Sequence, residues 1–192
     1  MCQNSNLSEI REKYFLKYPI EKVILVEGIT EEILLPVFSA KMGVDFNKCG
    51  FQVIPAGGKN QVVKLYYKLV NEVRIPIFLL LDKDAEENFA QIMPRLRNTD
   101  KVHLLSCGEF EDLLPHNLIL KTLNKDLYNF ATITESYLSD SVQTVKSLEN
   151  IFKQKGLHEF KKAEFAKLIK ENITQDSDIS QEIRDIVKEL VM

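Results

Sequence analysis

The chain has 192 residues, 45% of them hydrophobic and 28% charged, with a formal net charge of -3. That length suits one domain, with a core of ordinary size and a soluble surface. It holds no apolar run near the roughly 18 residues a membrane span needs, and the slight acidity argues against a protein that coats nucleic acid by charge alone.

The N-terminus lacks a basic segment followed by an apolar run, so no signal peptide is expected. Cys2, Cys49 and Cys107 are odd in number and widely spaced, which gives neither a disulfide framework nor a zinc spacing; a reducing cytoplasm is the expected home. Residues 1–20 read as a polar lead with a short helix capped by Ser8. Residues 22–26 are a β-branched apolar run, as in a parallel strand buried on both faces. The run stops at Glu27-Gly28, and Thr30 is the expected cap of the next helix. Pro36 predicts a kink or a late start in that helix, and Gly43 its end. A second strand is expected over 51–55, followed by Ala56-Gly57-Gly58 and a helix.

The most apolar segment, 76–81, ends on Asp82-Lys83-Asp84. A helix over about 86–97 and a strand over 101–105 complete the alternation. Strand and helix in turn predict an α/β fold, an open parallel sheet of about four strands with helices on both faces. Beyond Glu111 the strand signal fades, and one amphipathic helix is expected over 158–173, with a last helix ending at Met192. The expected layout is a lead over 1–20, a sheet-bearing core over 21–115 and helical elements over 116–192.

In open α/β sheets ligands bind beyond the carboxyl ends of the strands, and here those ends carry acids. Glu27 ends the first strand and Asp82 the third; Asp84 follows closely, Glu109 and Glu111 lie just past the fourth, and Glu31 can face the same crevice from the first helix. Clustered carboxylates raise one another's pKa, so such a site is costly unless a cation neutralises it. Hard divalent ions take oxygen ligands, and two of them can activate a water and stabilise the leaving oxygen of a phosphodiester. Read singly, Glu27 also suits a helix cap, Asp82-x-Asp84 a structural turn, and the other acids ordinary helix N-termini.

Val23-Ile24-Leu25-Val26-Glu27-Gly28 together with Leu79-Leu80-Leu81-Asp82-Lys83-Asp84 resembles the Toprim domain. Glu27-Gly28-Ile29-Thr30-Glu31 with Leu35-Pro36, then Ala56-Gly57-Gly58-Lys59, Asp82-Lys83-Asp84-Ala85 and Phe110-Glu111-Asp112-Leu113-Leu114 narrow the likeness to the Toprim half of the overcoming-lysogenization-defect (OLD) nucleases, over roughly residues 22–170. The resemblance implies a metal-dependent DNA endonuclease using two Mg²⁺ or Mn²⁺ ions. It implies metal ligation by Glu27, Glu31, Asp82 and Asp84, proton handling by Glu27, and a further acid after strand four. Glu109 and Glu111 both fit that last role, with Glu111 preferred.

The resemblance also implies a late catalytic lysine, for which Lys162 in Lys162-Ala163-Glu164-Phe165-Ala166 is preferred over Lys161. The lysines at 153, 155, 161, 162, 167 and 170 read equally as a phosphate-contacting face or a solvated one. The family's usual preceding ATPase is not in this sequence, and Gly57-Gly58-Lys59 is not a Walker A loop. The expectation is a stand-alone protein, a piece of a longer chain, or a subunit whose ATPase acts in trans; two-strand cleavage suits a homodimer, and DNA or RNA is the other expected partner. Two rivals remain open: a silent or primase-like nucleic-acid-binding module, and a phosphatase with Asp82 as nucleophile and Asp84 as acid or base.

Overall fold

A computed structural model describes residues 20–127, 132–138 and 143–192; the helix expected after Ser8 lies outside them. The elements alternate as the sequence implies: β1 (Lys22–Val26), α1 (Ile29–Lys41), β2 (Phe51–Pro55), α2 (Lys59–Glu72), β3 (Ile77–Leu81), α3 (Glu86–Ile92) and β4 (Lys101–Leu104). The helices α4 (His116–Asp126), α5 (Thr144–Gln154), α6 (Lys162–Asn172) and α7 (Gln181–Val191) follow. All strand pairs are parallel, in the order β2-β1-β3-β4. The chain leaves β1 toward one edge and returns past it to form β3. The crevice where that direction reverses, between the carboxyl ends of β1 and β3, is the switch point where such sheets bind ligands.

Both faces of the sheet are covered. Val23, Leu25, Ile77, Leu79 and Leu81 point to one side and pack with Val62, Tyr66 and Leu69 of α2 and Ile92 of α3. Ile24, Val26, Phe78 and Leu80 point to the other and pack with Leu34, Leu35 and Phe38 of α1 and with the C-terminal helices. Strand alternation sends neighbouring residues to opposite faces, so a continuous apolar run serves both cores. Helix α6 lies against α1 and α4, burying Phe165, Ala166 and Ile169. Helix α7 is held to β4, where His103 sits between Glu189 (3.1 Å) and Glu182 (3.5 Å). Among the described residues no helix is long and apolar enough to cross a membrane.

Several boundaries differ from the sequence reading. Helix α1 starts at Ile29 with Gly28 as its N-cap, so Thr30 is inside the helix rather than capping it, and Pro36 lies within the helix without delaying its start. The segment after β3 is divided: a 3-10 turn over Lys83–Ala85, then α3, then a second 3-10 turn over Met93–Arg95 around Pro94. Helix α6 begins at Lys162, later than the apolar periodicity suggests, because Phe160 reaches the core from extended chain and stacks near Phe152 and Phe165.

The turn into α7 is fastened by Asp178, which is fully buried. Its carboxylate accepts hydrogen bonds from the backbone N–H of Thr174 (2.8 Å) and Gln175 (3.0 Å) and from Lys121 Nζ (2.9 Å). Burial pushes this carboxyl up, but the donors outweigh it and hold the group below the usual aspartate range. A carboxyl whose pKa is lowered on folding stabilises the fold above its unfolded value, near ~3.9, and loses that contribution as pH falls through the folded value. Asp178→Asn is therefore expected to lower stability near neutrality by about 1–3 kcal/mol. It should also flatten the loss of stability in acid, both read from denaturant unfolding across pH.

Candidate metal and phosphate site

The carboxyl ends of β1, β3 and β4 open into a cavity of about 420 Å³ lined by Glu27, Glu31, Asp82, Asp84, Glu109, Glu111, Lys59 and Lys162, with Gly28, Ile29, Thr30 and Gly58. The seven candidate catalytic and metal-binding residues named from the sequence are thus brought to one place, from four separate stretches of chain.

Glu27 follows the last residue of β1. Its Oε1 accepts the backbone N–H of Asp82 (2.9 Å), so the acid ties the end of β1 to the end of β3. It does not serve as a cap for α1. Its backbone carbonyl accepts the N–H groups of Gly57 (3.0 Å) and Gly58 (2.8 Å), which turn the chain from β2 into α2. Those glycines have φ of 87° and 111°, values that side-chain-bearing residues rarely adopt. The tight turn delivers Lys59, the first residue of α2, to the cavity wall.

Glu31 is 5% exposed, one turn into α1, and its Oε1 accepts the N–H of Gly28 at 3.3 Å. A Cβ at Gly28 would come to 3.2 Å from the other Glu31 oxygen, so the close approach suits glycine. Past β4, Gly108 has φ of 38° and a Cβ there would lie 1.8 Å from Asp112 Oδ2. That oxygen accepts the N–H of Glu109 (2.9 Å), fixing the 3-10 turn over Phe110–Leu113 that carries Glu111. Glu111 is 4% exposed and accepts a hydrogen bond from Thr30 Oγ1 at 2.7 Å. Lys162, at the start of α6, makes a hydrogen-bonded ion pair with Glu109 and lies 3.5 Å from Glu111. Both acids after β4 therefore face the cavity, and both meet the same ammonium.

The cluster carries strong mutual repulsion. Burial first, then Glu27, Glu31, Glu111 and Glu109, push the Asp82 carboxyl up to about 8. Burial is also the main reason that Glu31 rises to about 7, with Glu111 and Glu27 adding to it against the N–H groups that favour its charge. Glu27 is raised by burial and by Asp84, against the pull of the Asp82 N–H. Burial would lower Lys162, yet Glu109 and Glu111 raise it on balance.

The donor set is all carboxylate oxygen, the chemistry of a hard divalent cation. Among the described residues, however, no three of His, Cys, Asp and Glu are grouped to hold an ion. Two lysines instead divide the acids. Lys162 takes Glu109 and Glu111, while Lys59 donates to Asp84 Oδ2 at 2.6 Å and to the Asp84 carbonyl at 3.1 Å. The donor chemistry fits a metal, and ligation requires side-chain rotation away from these lysines.

Sequence reasoning missed two participants. Lys59 sat in a recognised motif, but its pairing with Asp84 depends on β2 and β3 flanking β1, which spacing alone does not reveal. Thr30 read as a cap because it preceded two glutamates, whereas its hydroxyl orients Glu111.

Residues 20–84 match the family model described as the overcoming lysogenization defect protein-like Toprim domain. The structure is similar to the C-terminal region of the Burkholderia pseudomallei OLD protein, with a TM-score of 0.65 and 15% identity over 91% of this chain and 100% of that one. It is also similar to the C-terminal region of the Xanthomonas campestris pv. campestris OLD protein, with a TM-score of 0.60 and 18% identity over 91% and 95% of the two chains. The sequence matches no curated protein. The Toprim and OLD likeness read from the motifs is borne out, and the solved structures extend the shared fold to the helices beyond β4.

The raised carboxyls set a pH dependence. A group whose folded pKa lies above its unfolded one keeps its proton longer in the native state, so stability falls as pH rises between the two values. For Asp82 that window runs from the ordinary aspartate range up to about 8. Asp82→Asn is expected to raise Tm by several degrees at about pH 8 and by little at about pH 4, in chelator. Differential scanning calorimetry at the two pH values checks it; equal shifts at both would show that the cost of ionising buried Asp82 is not what strains the site.

Proposed function

We propose that this protein is a divalent-metal-dependent nuclease that hydrolyses phosphodiester bonds in DNA. The observation that supports the reading most is the convergence of Glu27, Glu31, Asp82, Asp84, Glu109 and Glu111 on one cavity at the sheet's switch point, with Lys162 among them. A cluster that forces Asp82 and Glu31 toward neutrality is complementary to added positive charge. The residues that would hold Mg²⁺ or Mn²⁺ are Glu27, Asp82 and Asp84 on one side and Glu31 with Glu111 or Glu109 on the other. When bound, a pair of such ions would supply Lewis acidity and an acidified water.

The chain's own groups do the rest. Glu27 is oriented by the Asp82 N–H, and its raised pKa lets it hold or release a proton closer to neutrality than an ordinary glutamate. Lys162 projects an ammonium at the cavity mouth, where it can bind a phosphate oxygen and stabilise the charge that develops there in the transition state. Glu109 and Glu111 hold that ammonium in place until substrate arrives. Thr30 fixes the Glu111 carboxylate through one of its oxygens.

Incubation with supercoiled and linear DNA, and with RNA, in Mg²⁺ or Mn²⁺ tests the reading. Wild-type protein should nick or cut DNA, chelator should stop it, and Asp82→Ala should abolish it. Lys162→Ala should slow cleavage at saturating metal by roughly 10²–10³-fold, the usual loss for one transition-state donor. Cleavage in chelator, or equal activity in Asp82→Ala, would overturn the mechanism.

A further inference from the structure

We propose that Lys59 is a movable counter-ion: it neutralises Asp84 while the site is free of metal, and is released to a substrate phosphate when a divalent cation takes Asp84. The inference rests on the nuclease reading above and adds a substrate-binding group to it.

Four observations carry it. Lys59 Nζ makes two hydrogen bonds to one residue, the Asp84 carboxylate (2.6 Å) and its backbone carbonyl (3.1 Å). The pair is a poor structural staple, since the Lys59 side chain is 36% exposed and that of Asp84 is 73% exposed, and solvent-exposed pairs stabilise folds little. Lys59 is held at the cavity by a costly device, two consecutive glycines at positive φ whose N–H groups are pinned to the Glu27 carbonyl. Finally, Lys59 and Lys162 both line the cavity, and they engage different acids from different elements.

Asp84 cannot give the same oxygen to Lys59 and to a cation at full strength. A divalent ion on Asp84 repels the ammonium, whose flexible stem lets it move while α2 stays fixed. With Glu27 and Asp82 engaged by the same ion, the anion left to satisfy it is the phosphodiester backbone arriving at the cavity. Lysine suits this work because it is a compact charge on four rotatable carbons with no fixed fork geometry. The residue therefore opposes metal in the empty site and favours substrate in the loaded one, two effects of opposite sign from one side chain.

Lys59→Met keeps the stem and removes the charge. Mn²⁺ affinity measured by calorimetry should rise about threefold to tenfold in this variant, because a competing positive charge is gone. Binding of a labelled duplex in Mn²⁺ should weaken, and the slope of log K against log salt should fall by about 0.9, the loss of one phosphate contact. In chelator the same slope should equal that of wild type. Lys59→Arg should restore the slope in Mn²⁺, and circular dichroism confirms that both variants fold. An unchanged or weaker Mn²⁺ affinity in Lys59→Met, or an unchanged salt slope in Mn²⁺, would overturn the proposal while leaving the nuclease reading intact. If wild-type protein itself takes up no Mn²⁺, the nuclease reading fails, and this inference fails with it.

Discussion

Two carboxylates about 5 Å apart at an effective dielectric of about 20 repel by roughly 3 kcal/mol, and here six carboxyl groups share one cavity of about 420 Å³. Much else in the molecule depends on managing that repulsion. Backbone N–H groups of Asp82 and Gly28 hold Glu27 and Glu31, and the Thr30 hydroxyl holds Glu111. Lys59 and Lys162 bring positive charge from opposite sides. Burial first, and then the repulsion these contacts leave uncompensated, raises the carboxyls of Asp82, Glu31 and Glu27. The strain can persist because the sheet beneath is buried on both faces and cannot easily deform.

The topology explains why acids from distant segments meet. Strands β1 and β3 are neighbours although α1, β2 and α2 separate them in the chain. Glu27 and Asp82 therefore emerge side by side at the switch point, close enough for the Glu27 carboxylate to accept the Asp82 N–H. Strand β4 pairs with β3 on its far side and aims its following loop back over the same crevice. Gly108 and Asp112 shape that loop, and Asp112 also accepts the N–H of Thr144 (2.7 Å), coupling the acidic turn to the start of α5. Lys162 arrives last, carried by α6, whose buried Phe165 and Ile169 pack in the core shared with α1.

Strands were legible because uninterrupted β-branched and leucine runs of five or six residues, too short for a membrane span, have few other uses. Glu27 and Asp82 were legible because each directly follows such a run, at the end where α/β sheets bind ligands. Local capping was not. Thr30 resembles a cap by composition, but Gly28 takes that position because Glu31 reaches back to its N–H in the close space a glycine leaves. The start of α6 was misplaced because Phe160 continues an apolar period that suits a helix, yet it is inserted from extended chain. The Lys59–Asp84 pair was invisible for a different reason: its partners belong to elements that become adjacent only once the strand order is known.

The two acids after β4 illustrate how far burial refines a motif. The motif fits both Glu109 and Glu111, with Glu111 preferred, and both touch Lys162. Glu111 is buried and its geometry is fixed by Thr30 of α1, the helix that also carries Glu31. Glu109 is about a third exposed, and its side chain pairs with Lys162. A ligand must be held in place before the ion arrives, because each freely rotating side chain adds an entropic cost to binding. A group that shields or guides the lysine must instead be able to let go. In the proposed site that ground favours Glu111 as the ligand beside Glu31, and leaves Glu109 the task of holding Lys162 until a phosphate displaces it.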